Sequence, residues 1–198
     1  MKKTSSIYKL LRNRIHTYLL SRKDGIKIGN GTNVYYKSRI DCCSTSYKTG
    51  GGITIGNKCS IGHSKIKYHG GMPFYTCLLC DGEGSKIVVG DNCRVNGAYI
   101  HAEKGVTIGN NCVIASGVNI IDSNGHQVKS LNRTIGRDEP KEIVIGNNVW
   151  ICMNVTILKG SVIGNNSIVA AGSVVQGNIP PNSIASSNGN LEIKEIQL

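Results

Sequence analysis

Residues 145–180 read IGNNVW, ICMNVT, ILKGSV, IGNNSI, VAAGSV and VQGNIP, six consecutive units of six residues. Every unit begins with Ile or Val. A fixed period of this kind indicates a repeat architecture in which each unit stacks on its neighbours. One inward aliphatic residue in six suits one side of a triangular coil. About three units then complete one turn of a parallel β-helix, with successive turns about 4.8 Å apart.

The opening of this unit recurs upstream as a triplet of Ile or Val, Gly, and Asn or Asp. The triplets begin at Ile28, Ile55, Val89, Ile108, Ile145 and Ile163. Where two triplets lie further apart than one turn, the excess residues are expected to form loops. The spacing predicts about eight coils over residues 26–185, with insertions near 42–52, 67–85 and 122–142. Insertions in solenoids tend to gather on a binding face.

The composition agrees with an all-β fold. The 198 residues include 26 Ile and 15 Val but only 10 Leu, one Phe and one Trp. β-branched residues favour strands over helices, which argues against a helical bundle. No apolar run approaches the roughly 20 residues that span a bilayer, so no membrane span is expected.

Residues 1–25 are predicted to form a short basic amphipathic helix, with Ser5 or Ser6 as its N-cap. Seven of the chain's Lys and Arg residues, and none of its acidic residues, lie in residues 1–23. Apolar residues recur there at the spacing of one helix face: Ile7, Leu10, Leu11, Ile15, Tyr18 and Leu19. A structural cap or oligomer contact is the favoured role, ahead of peripheral membrane association and of a nucleic-acid arm, and no nucleic-acid partner is expected. Polar residues interrupt any signal-peptide core, which predicts a cytoplasmic chain.

Three of the eight cysteines occupy one slot of the repeat. Cys59, Cys93 and Cys112 each lie four residues after the first residue of a triplet. That slot takes small side chains, and a free Cys behaves as a small buried group. The pair Cys77 and Cys80 has the spacing of zinc ligands. A structural zinc site needs four ligands, and the sequence has no second pair with this spacing, so no metal is expected.

One histidine stands out among five. His126 lies in the longest insertion, four residues after Asp122. An imidazole has an unperturbed pKa of about 6.5 and suits proton transfer near neutral pH. His126 is therefore the candidate general base, and His101 is the second choice. Either Asp122 or a backbone carbonyl could orient the imidazole, as in catalytic triads.

Residues 28–185 resemble the left-handed β-helix hexapeptide acyltransferases, and within them the galactoside, maltose and polysaccharide O-acetyltransferases. The motifs that carry the resemblance are the run 144–151, the stretch 168–175, the exit Ile179-Pro180-Pro181, and Gly125-His126 placed 24 residues before Trp150. The resemblance implies left-handed coils and homotrimers with each active site between neighbouring prisms. It also implies acetyl-CoA as cosubstrate and a carbohydrate acceptor.

Carried over by position, His126 matches the family's catalytic base. Asn96 resembles an acceptor-binding Asn, Trp150 resembles a pocket-lining Trp, and Asp122 is assigned to the same substrate side of the site. The final coils would form the wall along which the pantetheine arm lies. The residues assigned to acetyl-CoA are Cys152, Met153, Ala170, Ala171, Gly172 and Lys194, the last in the tail of residues 186–198.

The chain departs from the family pattern near the expected thioester. Met153 stands where galactoside acetyltransferases carry a Ser, and Cys152 replaces the Gly before it. An oxyanion hydrogen bond at this point would therefore come from a backbone N–H. The expected function is acetyl-CoA-dependent O-acetylation of a surface carbohydrate or its precursor. The alternatives are N-acetylation of an amino-sugar, acylation of another small acceptor, or a noncatalytic or metal-binding β-helix.

Overall fold

A computed structural model describes residues 2–65, 67–187 and 191–195. Within them the chain winds through three parallel sheets that form the sides of a triangular prism. Sheet A contains β1 (Ile26–Ile28), β4 (Gly52–Ile55), β7 (Lys86–Val89), β10 (Gly105–Ile108), β13 (Ile143–Ile145), β16 (Val162–Ile163) and β19 (Asn178–Ile179). Sheet B contains β2 (Asn33–Val34), β5 (Ser60–Ile61), β8 (Arg94–Val95), β11 (Val113–Ile114), β14 (Trp150–Ile151), β17 (Ile168–Val169), β20 (Ser183–Ser187) and β21 (Leu191–Glu195). Sheet C contains β3 (Arg39–Cys42), β6 (Cys77–Cys80), β9 (Tyr99–Ala102), β12 (Asn119–Ile121), β15 (Thr156–Leu158) and β18 (Val174–Val175). Two helices complete the described elements, α1 (Lys2–Ser21) and α2 (Ser44–Lys48).

The predicted left-handed parallel β-helix is confirmed. The first residues of the triplets stack in register on one side of the prism, which is sheet A. In that column Ile55, Val89, Ile108, Ile145 and Ile163 are each 1% exposed. Inward aliphatic residues of all three sheets form one continuous core along the axis.

Side-chain amides tie the coils together at the corner between sheets A and B. Asn57 accepts a hydrogen bond from the backbone N–H of Asn30 at 2.8 Å, and Asn110 accepts one from Asp91 at 2.7 Å. In the same way the backbone N–H of Asn110 donates to the Asn147 side chain at 2.8 Å, and the backbone N–H of Asn147 donates to the Asn165 side chain at 2.7 Å. Each corner residue thus satisfies a backbone donor of the coil before it, which explains the recurrent Asn or Asp.

The glycine of the triplet is required by close approach between coils. A Cβ atom at Gly109 would lie 2.7 Å from the carbonyl carbon of Gly146, closer than real Cβ contacts allow. The left-handed backbone falls two residues later, where Asn111 has φ 59° and Asn148 has φ 54°. Asn is among the residues that tolerate this conformation best. Gly and Asn therefore serve different needs in one turn.

The cysteine slot combines packing with hydrogen bonding. Cys59, Cys93 and Cys112 are buried, and their thiols donate to the glycine carbonyls of the following coil at 3.0, 3.1 and 3.1 Å. Thr32 and Ser167 make the same kind of bond with their hydroxyl groups. Five of the six residues in this slot are therefore small hydrogen-bond donors, and the sixth is the buried Val149.

Three details differ from the sequence-based expectation. Sheet A has seven strands, so the prism has seven coils and not about eight, because the insertions take up residues that the even spacing had assigned to coils. The second insertion was predicted at 67–85, yet β6 within that range is a strand of sheet C. Leu78 and Cys80 point into the core there, and the long connection runs from Gly62 to Thr76. The N-terminal helix begins at Lys2, ahead of the predicted caps Ser5 and Ser6.

Helix α1 covers the open edge of the first coil with its polar face. Thr17 accepts a hydrogen bond from the backbone N–H of Val34 at 2.8 Å, and Asn13 accepts one from Tyr36 at 3.2 Å. These contacts satisfy donors of an edge strand that would otherwise be open to pairing.

The predicted apolar stripe of α1 is not packed on the prism. Its residues are each more than half exposed: Ile7, Leu10, Leu11, Ile15, Tyr18 and Leu19. Among helix residues 7–21, whose burial the structure describes, Leu20 alone is buried, at 4% exposure.

The last coil is covered by β21, which pairs antiparallel with β20. Ser183 lies opposite Glu195 at one end of this pairing, and Ser187 lies opposite Leu191 at the other. Part of the predicted tail, 186–198, is thus a strand. Among the residues that the structure describes, no helix has the length and hydrophobicity needed to cross a membrane.

We predict that Gly109→Ala lowers the free energy of unfolding by about 1–3 kcal/mol, because its Cβ would overlap the backbone of the next coil and overpacking of this kind costs that much. Denaturant unfolding measures the change. Gly105→Ala is the matched control, since its Cβ would meet only the flexible side chain of Glu142. Equal losses in the two variants would contradict the role assigned to close approach.

Candidate active site

The longest insertion, residues 122–142, leaves sheet C after β12 and enters sheet A at β13. It therefore projects from the corner between sheets C and A. Asp138 organises this loop: its carboxylate accepts from Asn124 at 2.8 Å and from the backbone N–H of Val128 at 3.2 Å. These bonds, with Lys159 at 3.7 Å, hold the pKa of Asp138 below its usual value, the Asn124 bond contributing most.

The loop holds His126 in one orientation. The Nδ1 atom of His126 lies 2.8 Å from the carbonyl oxygen of Arg133. Because a carbonyl can only accept, Nδ1 carries the proton in the neutral ring and Nε2 is left as the acceptor. The guanidinium of Arg133 closes the turn by donating to the carbonyls of Val128 at 3.0 Å and Ser130 at 2.8 Å. His126 itself is exposed.

Asp122 does not orient His126, and its predicted place on the substrate side is wrong. Its side chain is fully buried and accepts three backbone N–H groups: Oδ1 from Glu103 at 2.9 Å, and Oδ2 from Lys104 and Gly105, each at 2.7 Å. Asp122 thus anchors the first residue of the loop to the turn of the preceding coil. Of the two orienting groups considered from the sequence, the backbone carbonyl is the one present.

Asn96 lies at a different corner, between sheets B and C. Its backbone N–H donates to the carbonyl of Ile114 at 3.0 Å, and its side chain is 9% exposed. The buried Oδ1 atom of Asn96 has no hydrogen-bond partner within the described residues. Tyr68 of the second insertion lies beside the Asn96 amide; burial raises the pKa of Tyr68, and the amide offsets part of that rise. A buried acceptor without a partner is costly, which suits a site that a ligand donor completes.

Five of the six residues predicted to bind acetyl-CoA lie at this same corner: Cys152, Met153, Ala170, Ala171 and Gly172. Backbone bonds stack Asn96, Ala115, Cys152 and Ala170 in successive coils, and Gly172 donates to the Met153 carbonyl at 2.9 Å. We call this column, with Ala171 beside Ala170, the B–C corner. Burial raises the pKa of the Cys152 thiol, which keeps it protonated and a weak nucleophile.

Trp150 and Lys194 lie in strands of sheet B, outside the B–C corner. Trp150 lies on the outer face of sheet B, half exposed, between Val113 and Ile168 of the adjacent coils. The backbone of Lys194 pairs with Ile184 in the last strand, and its side chain lies outside the described part of the structure.

One chain does not bring all of these residues together. The His126 loop and the B–C corner lie at opposite ends of sheet C, whose strands there have up to four residues. At about 3.3 Å per residue the two corners are roughly 13 Å apart. The sequence-based site is therefore divided within a single prism.

His101 occupies the outer face of sheet C between the two corners. Its Nε2 atom lies 2.8 Å from Asp81 Oδ1, and Glu103 nearby pairs with Arg137 at 2.7 Å. Ligating atoms of Asp81, His101 and Glu103 all lie within 4.8 Å of one another. The two ion pairs already engage all three side chains. Sequence reasoning missed this cluster because the register that places β6 beside β9 depends on the length of the second insertion.

Residues 142–177 match the model of the bacterial transferase hexapeptide family, six repeats. Galactoside O-acetyltransferase of Escherichia coli is 41% identical over 114 residues, which cover 57% of this chain and 56% of the relative. Polysialic acid O-acetyltransferase of Neisseria meningitidis is 32% identical over 119 residues, covering 54% of this chain and 55% of the relative.

A crystal structure of a hexapeptide-repeat acetyltransferase of Vibrio cholerae, complexed with acetyl-CoA, matches with a TM-score of 0.60 at 20% identity, covering 99% of this chain and 87% of that one. The chain spans about 55–61% of the length of four curated relatives, the two named above among them. The resemblance read from the sequence is confirmed: the chain carries the hexapeptide repeat of the bacterial transferases and is similar to sugar O-acetyltransferases built on it.

Proposed function

We propose that the chain is an acetyl-CoA-dependent O-acetyltransferase that transfers the acetyl group to a hydroxyl of a carbohydrate. The observation that carries the proposal is the hydrogen bond from His126 to the Arg133 carbonyl, which leaves Nε2 of this exposed residue as the proton acceptor. The names of the relatives, galactoside and polysialic acid O-acetyltransferases, support the same reaction.

His126 supplies the base that the reaction needs. A sugar hydroxyl is too weakly acidic to attack a thioester unaided, and removal of its proton by Nε2 is worth about 10²–10⁴-fold in rate. The hydroxyl oxygen then forms a bond to the thioester carbon, giving a tetrahedral oxyanion. The carbon–sulfur bond breaks, and the thiolate takes back the proton from the imidazolium.

Cosubstrate binding is assigned to the B–C corner. Ala170 and Ala171 have small side chains and Gly172 has none. Ala171 and Gly172 are exposed, and a Cβ at Gly172 would meet no atom within 4 Å. The open surface leaves room for an extended pantetheine arm beside Cys152 and Met153. With the Cys152 thiol protonated, direct transfer without an acyl-enzyme is the simpler course. Backbone N–H groups of the corner turns are the proposed oxyanion donors.

The division of the site between two corners supports a homotrimer. A neighbouring prism that presents its B–C corner to the His126 loop would bring base, acceptor and acetyl-CoA into one cleft. Holding both substrates there converts an encounter of separate molecules into an oriented one. We place the reaction in the cytoplasm, where the eight free thiols would stay reduced.

His126→Ala is expected to lower turnover about 10²–10⁴-fold and to leave acetyl-CoA affinity nearly unchanged, because the lost interaction belongs to proton transfer in the transition state. Steady-state release of CoA with a glycan acceptor measures turnover. His101→Ala is the control, since His101 is paired with Asp81 on the face of sheet C. Near-normal turnover in the His126 variant, with loss in the His101 variant, would show that the base is misassigned.

Asp122→Asn separates anchoring from chemistry. The variant is expected to lower the free energy of unfolding by about 2–3 kcal/mol, because an amide cannot replace a carboxylate that accepts three backbone N–H groups. Under conditions where it is folded, its turnover should stay within a few-fold of the parent. A loss of turnover like that of His126→Ala, at unchanged stability, would contradict the anchoring role and indicate that Asp122 takes part in catalysis.

Mixed oligomers test the shared site. We expect Asn96→Ala and His126→Ala to be nearly inactive alone, and co-expression of the two to recover part of the activity, because some interfaces then pair an intact Asn96 with an intact His126. Sedimentation velocity confirms that the mixed species assemble. A fully active monomer, or mixed oligomers as inactive as their parents, would contradict the shared site.

A further inference from the structure

The strongest unassigned feature is a basic cavity of about 240 Å³ where α1, the first turn between sheets B and C, and the second insertion meet. Five of its described lining residues are cations: Lys9, Arg12, Lys37, Lys65 and Lys67. Tyr36 and Tyr75 form part of its walls. We call these seven residues the cationic corner.

The charges of the cationic corner are not neutralised by carboxylates. None of its cations forms an ion pair with a described acidic residue. Instead the Arg12 guanidinium lies 3.2 Å from the centroid of the Tyr36 ring, and Lys65 Nζ lies 4.8 Å from that of Tyr75. Lys37 Nζ is 5.3 Å from the Tyr75 ring. Ring faces hold the cations in place without removing their charge.

One further observation points to a missing anion. The Nε atom of Arg12 is buried and has no hydrogen-bond acceptor among the described residues. The neighbouring tyrosines raise the pKa of Lys37, with Tyr75 contributing most, so this lysine is a cation at neutral pH. Like charges gathered in one cavity repel each other unless an anion joins them.

The cationic corner lies on the same column of turns as Asn96. Tyr35 donates its backbone N–H to Ile61 at 2.8 Å, and Gly62 donates to Val95 at 2.6 Å, so Tyr35 and Asn96 are two coils apart. At about 4.8 Å per coil the cavity lies roughly 10 Å along the axis from Asn96. The second insertion links the two places, since it supplies both Lys65 and the Tyr68 beside Asn96.

We propose that the cationic corner binds a phosphate or diphosphate group of the acceptor, which would make the acceptor a phosphorylated carbohydrate. This inference rests on the proposed function. Five cations around one small cavity exceed what a single carboxylate needs and suit a group with two or more negative charges. The group could belong to a soluble sugar phosphate or to a lipid-linked saccharide. The exposed apolar face of α1 adjoins Lys9 and Arg12 on the same helix.

Titration calorimetry with inorganic pyrophosphate tests the site in the full chain. The parent is expected to bind, with affinity that falls as salt is added. The double variant Lys37→Gln, Lys65→Gln should bind at least about tenfold more weakly, since two charge-assisted contacts are lost. The matched control is Lys27→Gln, Lys48→Gln, which removes the same charge from exposed lysines elsewhere and should bind like the parent. Thermal melting checks that both double variants are folded.

No binding to the parent, or equal loss in the two double variants, would overturn the inference. Glucose 1-phosphate and phosphatidylcholine vesicles with or without phosphatidic acid distinguish the sources. Binding to the sugar phosphate alone supports a soluble acceptor. Cosedimentation that requires both phosphatidic acid and the two lysines supports a lipid-linked one.

The same measurements separate this inference from the enzymatic proposal. Pyrophosphate binding by His126→Ala should equal that of the parent, because His126 is not among the residues that line the cationic corner. A chain that acetylates glycans but does not bind pyrophosphate would overturn the anion site alone. A chain that binds pyrophosphate through Lys37 and Lys65 but acetylates no acceptor would overturn the enzymatic proposal and the acceptor assignment, and leave only an anion site.

Discussion

The structure depends on the close approach of successive coils at the corner between sheets A and B. A Cβ at Gly109 would overlap the backbone of the next coil. Side-chain amides such as that of Asn147 accept hydrogen bonds from backbone N–H groups of the preceding coil at this corner. Because this contact repeats in every coil, all inward aliphatic residues fall in register. The resulting prism has three corners in fixed positions, and the proposed functional residues lie at these corners.

The corners determine what one chain can do by itself. Backbone pairing places Asn96, Cys152 and Ala170 in one column, and the exit of β12 places His126 at another. The register of sheet C fixes the separation of these two corners. In the proposed homotrimer a second prism completes the site, and each prism would contribute the oriented imidazole, the unsatisfied Asn96 oxygen and the cationic corner.

The hexads of residues 145–180 were sufficient to predict the sheets and the core, because one aliphatic position in six leaves little choice of packing. His126 could be selected because it combined a long insertion with a titratable ring. The role of Asp122 could not be foreseen, since it depends on three backbone N–H groups of another coil. The cationic corner was also invisible, because Arg12, Lys37 and Lys65 are distant in sequence and meet only when the second insertion folds back on the first coil.

The proposed reaction transfers an acetyl group from acetyl-CoA to a carbohydrate hydroxyl. It can be tested by incubating the purified chain with acetyl-CoA labelled in its acetyl group, together with a panel of neutral and phosphorylated bacterial glycans. We expect label in at least one glycan, released by mild alkali because the product is an ester. Absence of labelled glycan across the panel, or label that resists alkali as an amide does, would contradict it.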